Sequence, residues 1–333
     1  MTAADIPVPK GMRYDERRQF LLPQGLVARH LPSHPLFPRP KRTSQAVAFD
    51  EMSGNTTLGV HMSQVAPGGM KPGHRHLDEA VFYIVSGHGW SELKQSDDAP
   101  VQRVDWKAGD MLSIPANAWH QHFNGSADEP ALQLAFKNTR LLRKLFGSRD
   151  FVYANEFRLA DRYNDEDDYW DSRTELADGY IAQNRIADVA NVPLRDAPDA
   201  GRLVSMEKYR MGGHLMLDVV AVELGRKGHV KAHRHLVEEA LLAVKGHFRT
   251  LIWHENGREE LIEWGEGDIL FPPLNSWHQH FARGHEPVRY VAVRNVFLNR
   301  AFGLDDHEMG TVLPDRYPDV LEPDLDRDLP PRA

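Results

Sequence analysis

Short apolar segments recur along the chain, with polar turn residues between them about every ten positions. Examples are AVFYIVSG from Ala80, DMLSIPA from Asp110 and LQLAFK from Leu132, which are rich in β-branched and aromatic side chains. Gly, Pro and Asn bound these segments, which is typical of β-strands joined by tight turns. The regions that carry them show no long 3.6-residue period. The pattern therefore predicts small β-barrels or sandwiches.

The same order of predicted strands occurs twice. Leu58 to Gly87 aligns without a gap with Leu217 to Gly246, 159 positions later. Two further alignments, at offsets of 158 and 157, pair WKAGD at Trp106 with WGEGD at Trp264 and EPALQ at Glu129 with EPVRY at Glu286. Offsets that change by one residue are the result of insertions or deletions in loops between shared strands. We therefore predict a tandem duplication, with barrels over residues 45–147 and 205–303.

Three segments lie outside the repeat. The Pro-rich residues 1–44 are expected to form an extended arm that straps the barrels or a neighbouring subunit. The connector 148–204 contains ELADGYIAQNRIADVANV from Glu175, whose apolar spacing predicts a short helix, so the linker should be partly helical. Residues 304–333 are rich in Asp and Pro and should form a surface extension.

Composition narrows the class of protein. With 41% hydrophobic and 26% charged residues, and no apolar run of membrane-spanning length, the chain is expected to be globular and to avoid membranes. The N-terminus lacks the pattern of a secretory signal, which favours the cytoplasm. A net charge of -8 argues against binding to nucleic acid. Because the chain has no cysteine, His, Asp and Glu must hold any metal.

Histidines with a fixed spacing occur in both copies. His74 and His76 are i and i+2 on a predicted strand, so both should face the barrel interior, and His120 from a distant strand completes a set of three. The second copy repeats the spacing with His233, His235, Glu239 and His278. Such sets suit Fe(II), Mn(II), Co(II), Ni(II) or Cu(II).

The two copies differ by one position after the histidines, HRHLDEA against HRHLVEEA. His233, His235 and Glu239 have the same parity, so one regular strand would aim all three inward. The equivalent of Glu239 in the first copy is Ala80, and Glu79 should face the other side. We therefore expect His74, His76 and His120 alone to hold a metal in the first copy, and three histidines and one glutamate in the second.

These motifs resemble those of the cupins. The two motif pairs are Gly68, His74, His76 and Gly87 followed by Gly109, Pro115, His120 and Asn124, and then His233, His235, Glu239 and Gly246 followed by Gly267, Pro273 and His278. Two such pairs in one chain resemble the bicupins. The resemblance implies an all-β fold of two tandem double-stranded β-helix (jelly-roll) barrels with a partly helical linker.

The first copy is similar to the gentisate and salicylate 1,2-dioxygenases in PGHRH, EAVFYIVSGHG and NAWHQHFN. This resemblance implies an Fe(II)-dependent dioxygenase that uses O2 to cleave the ring of a gentisate-, salicylate- or hydroxynaphthoate-like acid. His122 would support the ligands or handle a proton, and His280 is its counterpart in the second copy. Arg103, Lys137 and Arg140 are candidates for binding a substrate carboxylate, with surface ion pairs as the alternative.

Other functions stay open at this point. The four ligands of the second copy, with Mn(II) or another divalent ion, are also consistent with a quercetinase-like or oxalate decarboxylase-like bicupin. A structural or regulatory metal in the second copy, or a non-catalytic ligand-binding cupin, are further alternatives. Because duplicated cupins commonly associate, a homo-oligomer is expected.

Overall fold

The computed structural model describes residues 25–39, 44–50, 52–254 and 257–303. Their strands form two barrels with few helices, which confirms the all-β bicupin class predicted from the repeat. Residues 1–24 of the expected arm and the expected tail 304–333 lie outside the described residues. Within the described stretches, each helix is too short or too polar to cross a membrane.

The strands are numbered in chain order. Those of the first barrel are β3 (Ser44–Ala48), β4 (Gly59–Val65), β5 (Met70–His74), β6 (Ala80–Ser86), β7 (His88–Lys94), β8 (Gln102–Lys107), β9 (Met111–Ile114), β10 (Trp119–Asn124) and β11 (Ala131–Lys137). Those of the second are β16 (Gly201–Arg210), β17 (Asp218–Val230), β18 (Glu239–Lys245), β19 (His247–Trp253), β20 (Glu259–Gly265), β21 (Ile269–Leu270), β22 (Trp277–Arg283) and β23 (Val288–Arg294).

The remaining elements connect the barrels. The arm contributes β1 (Val27–Ala28) and β2 (Phe37–Arg39), and the linker contributes β12 (Arg173–Glu175), β13 (Ile181–Gln183), β14 (Arg185–Ile186) and β15 (Arg195–Asp196). The α-helices are α1 (Thr139–Phe146), α2 (Arg149–Tyr153) and α3 (Val296–Ala301), with 3-10 turns at Leu31–Ser33, Met52–Gly54 and Pro198–Ala200.

Each barrel is closed by two groups of strands. In the first barrel, a seven-stranded sheet in the order β14-β9-β6-β11-β4-β3-β2 packs against a four-stranded sheet in the order β5-β10-β7-β8. Apolar side chains from both sheets, including Ile84, Leu93 and Val104, form the core between them. In the second barrel the 13-residue β17 joins both groups, since it pairs with β16 and β23 and, near its end, with β22.

The arm and the linker also belong to the repeat, although the sequence pattern did not indicate it. β1 pairs with β21 of the second barrel and β14 pairs with β9 of the first, at equivalent positions. Each segment then continues to the other barrel. In the arm β2 pairs with β3 of the first barrel, and in the linker β15 pairs with β16 of the second. His30 and Asp188, both with positive φ, donate backbone N–H bonds to the equivalent carboxylates of Asp268 and Asp110. The described part of the arm therefore connects both barrels.

The helix expected from Glu175 to Val192 is wrong. This segment contains the end of β12 followed by β13 and β14, whose backbones pair with neighbouring strands. Pairing with β9 and β16 satisfies backbone groups in a way that the local apolar spacing does not indicate. The only α-helix within the described linker is α2, so the linker is helical over five residues.

Two equivalent glutamates fasten each barrel to the other. Glu79, just before β6, accepts backbone N–H bonds from Leu215, Met216 and Leu217 at 2.6–3.1 Å. Glu238, just before β18, accepts from the backbone of Thr56, Thr57 and Leu58 at 2.7–2.9 Å, and from both threonine hydroxyls. Although burial opposes its charge, these donors lower the pKa of Glu238. Glu79 therefore turns away from the histidines as expected, but from the loop before β6 and not through strand parity.

Candidate metal centres and cavity

Three histidines converge at one end of the first barrel. His74 on β5 lies directly opposite His120 on β10, and their ring centroids are 4.4 Å apart. His76 joins them from the loop after β5, with its ring centroid 4.6 Å from that of His120. One ring nitrogen from each of the three lies within 4.8 Å of the others. The spacing suits a single metal ion.

The reason for this convergence differs from the one expected. β5 ends at His74, and residues 75–79 form a loop, so the parity of a continuous strand does not aim His76. Instead the carbonyl of His76 accepts a hydrogen bond from the N–H of Asn117, in the turn before β10. Asn117 has φ 58°, a left-handed conformation that Asn tolerates. Asn275 and His235 repeat this contact in the second barrel.

The hydrogen bonds of the three rings fix their tautomers. The Nδ1–H groups of His74, His76 and His120 donate to the carbonyls of Pro72, Asp78 and Ala118 at 2.8, 3.1 and 2.9 Å. Each Nε2 therefore carries a lone pair. His120 Nε2 is buried and has no hydrogen-bond partner among the described residues. Burial and the neighbouring His74 and His76 hold the pKa of His120 well below its usual range. Neutral imidazoles with converging lone pairs fit a divalent metal.

Lys137 would have to move when an ion binds. Its Nζ donates to His76 Nε2 at 2.9 Å, the same lone pair that would coordinate the ion. Asp78 Oδ2 lies 3.4 Å from Nζ and forms an ion pair with it. Burial opposes the charge of Asp78, but His76 and Lys137 outweigh it and lower the pKa of this carboxyl. Asp78 thus provides a buried anion that keeps the ammonium nearby.

His122 has the opposite tautomer. Ser91 Oγ lies 2.7 Å from His122 Nδ1 and accepts a hydrogen bond from Trp106 Nε1 at 2.9 Å. Among the described residues the buried hydroxyl has no acceptor other than Nδ1, so it donates its proton there and Nε2 carries the hydrogen. Nε2 is buried without a hydrogen-bond partner among the described residues. His122 is therefore arranged as a hydrogen-bond donor and not as a metal ligand.

A cavity of about 230 Å³ adjoins the three-histidine cluster at His74, and it is smaller than the roughly 300–1,000 Å³ of pockets for drug-sized ligands. Its lining includes His61, Ser63, Lys71, Phe82, His122 and Lys137. The lining thus combines an aromatic ring with two lysines. The cavity suits a small anionic ligand.

Only one of the three predicted carboxylate-binding residues lines this cavity, namely Lys137. Arg103 lies on the surface of β8, where it pairs with Asp105 and its guanidinium lies 4.4 Å from the centre of the Trp90 ring. Arg140 on α1 donates to the backbone carbonyl of Asp50. For Arg103 the alternative of a surface ion pair is thus the better interpretation.

The second barrel repeats the cluster and adds a carboxylate. Its predicted ligands are His233, His235, His278 and Glu239, the first residue of β18. Nδ1–H groups of the three histidines donate to backbone carbonyls at 2.8–2.9 Å, as in the first barrel. Glu239 Oε1 lies 3.1 Å from His235 Nε2 and 3.2 Å from His278 Nε2. Burial opposes its charge, but these two rings hold the pKa of Glu239 well below its usual range. The four residues also fit a divalent metal.

His280 is close enough to count as a fifth candidate, since one of its nitrogens groups with those of His233 and His278. However, Thr250 Oγ1 lies 2.8 Å from His280 Nδ1 and accepts from Trp264 Nε1 at 2.8 Å. This is the arrangement of His122, and it places the hydrogen on Nε2. We therefore do not include His280 among the ligands.

The second barrel has apolar core side chains at several of the positions that line the cavity of the first. The positions of His61, Ser63, Lys71 and Gln133 are taken by Val220, Val222, Val230 and Tyr290, which belong to one apolar core cluster. The position of Lys137 is taken by Arg294, which pairs with Asp218. Comparing the two copies at these positions would have identified Lys71, Ser63 and Gln133, which the sequence analysis missed.

Comparison with known proteins agrees with this structure. Residues 61–135 match the cupin domain family model. The first barrel is therefore a cupin domain, and the chain has the bicupin fold. It resembles the gentisate and salicylate dioxygenases: over 86 residues it is 29% identical to gentisate 1,2-dioxygenase from Ralstonia sp, a stretch that covers 26% of this chain and 22% of that relative.

Solved structures share the fold at low identity. Salicylate 1,2-dioxygenase from Pseudaminobacter salicylatoxidans aligns with a TM-score of 0.56 and 16% identity, over 80% of this chain and 79% of that one. Oxalate decarboxylase from Lactobacillus farciminis, in a formate complex, aligns with a TM-score of 0.53 and 14% identity, over 81% and 86%. At these identities the likeness is one of fold.

Proposed function

We propose that the protein is an Fe(II)-dependent dioxygenase that uses O2 to cleave the ring of a small hydroxylated aromatic acid, and that the first barrel carries the reaction. The observation that carries this proposal is the cavity next to the three-histidine cluster, which is lined by His74, by two lysines and by His122. The similarity of this barrel to gentisate 1,2-dioxygenase supports the same class of reaction. A gentisate-, salicylate- or hydroxynaphthoate-like acid is the proposed substrate.

The chain's own groups have distinct roles in this proposal. A bound Fe(II) would supply open coordination positions and redox chemistry. Neutral histidines would leave its charge uncompensated, which favours an anionic substrate. Lys71 and Lys137 would bind negative charge, the Phe82 ring would pack against an aromatic substrate, and the Nε2–H of His122 would donate to an oxygen atom in the cavity.

The second barrel is a weaker candidate for an active site. Its ligands resemble those expected for a quercetinase-like or oxalate decarboxylase-like enzyme, but Val220, Val222 and Tyr290 occupy the space that a substrate would need. We propose that Fe(II), Mn(II) or another divalent ion bound there stabilises the fold. A cytoplasmic location and a homo-oligomer also belong to the proposal, and light scattering tests the latter.

Oxygen uptake by anaerobically Fe(II)-loaded protein tests this function. The panel would contain salicylate, gentisate and 1-hydroxy-2-naphthoate, and we expect uptake together with a ring-opened chromophore for at least one acid. His120→Ala should lose the first-barrel metal and all uptake. The matched variant is His278→Ala, at the equivalent position of the second barrel, which should lose one metal equivalent and retain uptake.

Three outcomes would contradict the proposal. One is full uptake by His120→Ala. Another is no uptake across the panel by wild-type protein that metal analysis shows to contain iron. The third is loss of uptake in His278→Ala when its first barrel still holds metal, which would place the reaction in the second barrel.

A further inference from the structure

A β-bulge places Lys71 in the cavity. On β10, His120 and His122 are two residues apart, but their partners on β5, His74 and Lys71, are three apart. The extra residue lies at Pro72–Gly73 and turns Lys71 to the same side as His74. Without it, Lys71 and His74 would face opposite sides of the strand. Lys71 is therefore the cross-strand neighbour of His122.

The ammonium of Lys71 reaches across the barrel interior. Its Nζ donates to Ser63 Oγ at 2.8 Å and to Gln133 Oε1 at 2.6 Å. Ser63 on β4 and Gln133 on β11 are directly paired in the opposite sheet, and both are buried. A cation is thus held in the interior by two buried polar side chains, beside the cavity.

The second barrel shows that the fold does not need this polar group. There Val222 and Tyr290 are the directly paired residues, and Val230 replaces the lysine. Burying an ammonium is costly, whereas the apolar set packs into the core at no such cost. At this position the first barrel has a cation that lines the cavity and the second has an apolar side chain, which indicates binding and not packing.

The charges of the cavity indicate what is bound. Lys71 and Lys137 line it, and Asp78, beside Lys137, supplies one negative charge. Histidines coordinate a metal as neutral imidazoles, so this ligand set would not offset the charge of a divalent ion. Lys137 lies against His76, on the side of the metal ligands, whereas Lys71 lies against Ser63 and Gln133, in the opposite sheet.

We propose that Lys71 binds the carboxylate of the substrate and makes the protein selective for aromatic acids over their neutral analogues. This inference rests on the proposed function, since it names the group that recognises the acid. Ser63 and Gln133 hold the ammonium in place. An ammonium that donates to a carboxylate forms a charge-assisted bond, which a neutral amide cannot replace at equal strength.

Binding measurements separate this inference from turnover. Calorimetry on anaerobic Fe(II)-loaded protein would use salicylate and gentisate as acids and salicylamide as the neutral analogue. We expect Lys71→Met to weaken the binding of the acids by about tenfold or more and the binding of salicylamide by less than about twofold. Lys71→Arg, which keeps the charge, should recover most of the affinity. The control is Lys107→Met, which removes one exposed charge on β8 and should change neither the affinity for the acids nor that for salicylamide.

The outcomes are distinct. Unchanged acid binding in Lys71→Met, equal weakening of acid and amide, or no acid binding by the wild-type protein would each overturn the inference. Lys71→Gln, shorter and polar, is the second variant if Lys71→Met does not fold, and the same loss is expected. If the wild-type protein binds the acids through Lys71 but consumes no oxygen, the proposed function fails and the inference about Lys71 stands.

Discussion

Eight histidines, four in each barrel, differ in what their Nε2 atoms can do, and the partner of Nδ1 decides it. In both barrels the predicted ligands donate Nδ1–H to a backbone carbonyl, which makes Nε2 the lone-pair nitrogen of the neutral ring and thus the one that can coordinate a metal. His122 and His280 instead face a hydroxyl that is already hydrogen-bonded to a tryptophan. Their Nε2 atoms therefore carry a hydrogen. Spacing alone does not distinguish the two kinds of histidine.

This difference predicts that His122→Ala separates metal binding from activity. Because His122 is a donor and not a ligand, the variant should keep the first-barrel metal, as measured by metal analysis. Loss of a positioned donor or proton-transfer group should lower the rate of oxygen uptake by roughly 10²–10⁴-fold. His120→Ala is the comparison, since it should lose the metal itself. If His122→Ala lost the first-barrel metal, the tautomer argument would be wrong.

Much of the candidate site could be predicted from the sequence, because its key side chains come from repeated motifs. The spacing predicted every histidine in both clusters and the different faces of Glu79 and Glu239. Lys71 was missed because strand parity places it on the wrong side, and only the bulge corrects this. The Pro72–Gly73 pair was the sequence signal for the bulge. The structure shows why glycine is needed there, since a Cβ on Gly73 would come within 2.3 Å of the Trp119 ring.

At the scale of elements, Glu79 and Glu238 exchange hydrogen bonds between the barrels. Each lies immediately before an interior strand of its sheet, β6 or β18, and accepts from three consecutive backbone N–H groups of the other barrel. Such N–H groups, buried without acceptors, would destabilise the structure. The two glutamates thus couple β6 to the start of β17 and β18 to the start of β4.

We expect Glu79→Gln to weaken this coupling. The amide keeps one acceptor but loses the charge and turns a donor toward backbone N–H groups, so unfolding should cost about 2–4 kcal/mol less. Urea unfolding measures this change, and hydrogen exchange of Leu215, Met216 and Leu217 should accelerate locally. Glu129→Gln, which removes an exposed carboxylate, is the control. Equal stability of the two variants would show that Glu79 does not fasten the barrels.

The elements that join the barrels were the least predictable part of the fold. β1 and β14 are two-residue strands whose partners lie in β21 and β9, so their pairing is a property of the whole chain and not of local sequence. The matching PL pairs at Pro35 and Pro193 were a weak sign that the arm and linker repeat. By contrast, the barrel strands carry their own apolar pattern and were predicted.

At the scale of the whole molecule, the two barrels have the same frame with different interiors. The first has three neutral histidines beside a cavity with two lysines, and the second adds Glu239 beside a packed apolar core. A carboxylate ligand lowers the net positive charge of the metal with its ligands, so a divalent ion in the second barrel needs no anionic substrate to offset its charge. The second site is thus suited to retaining a metal and the first to binding a metal together with a substrate.

Glu239→Gln therefore should change stability more than activity. Wild-type protein is expected to bind two metal ions per chain, and the variant should bind the second about tenfold or more weakly, because a neutral amide replaces a charged ligand. Since a ligand that binds only the folded state stabilises it, the metal-dependent rise in Tm should shrink. Metal titration followed by thermal unfolding measures both, while oxygen uptake per first-barrel metal should stay unchanged. Loss of that uptake would instead show that the Glu239 site takes part in the reaction. The packing around Val222 and Tyr290 would then have to open to admit a substrate.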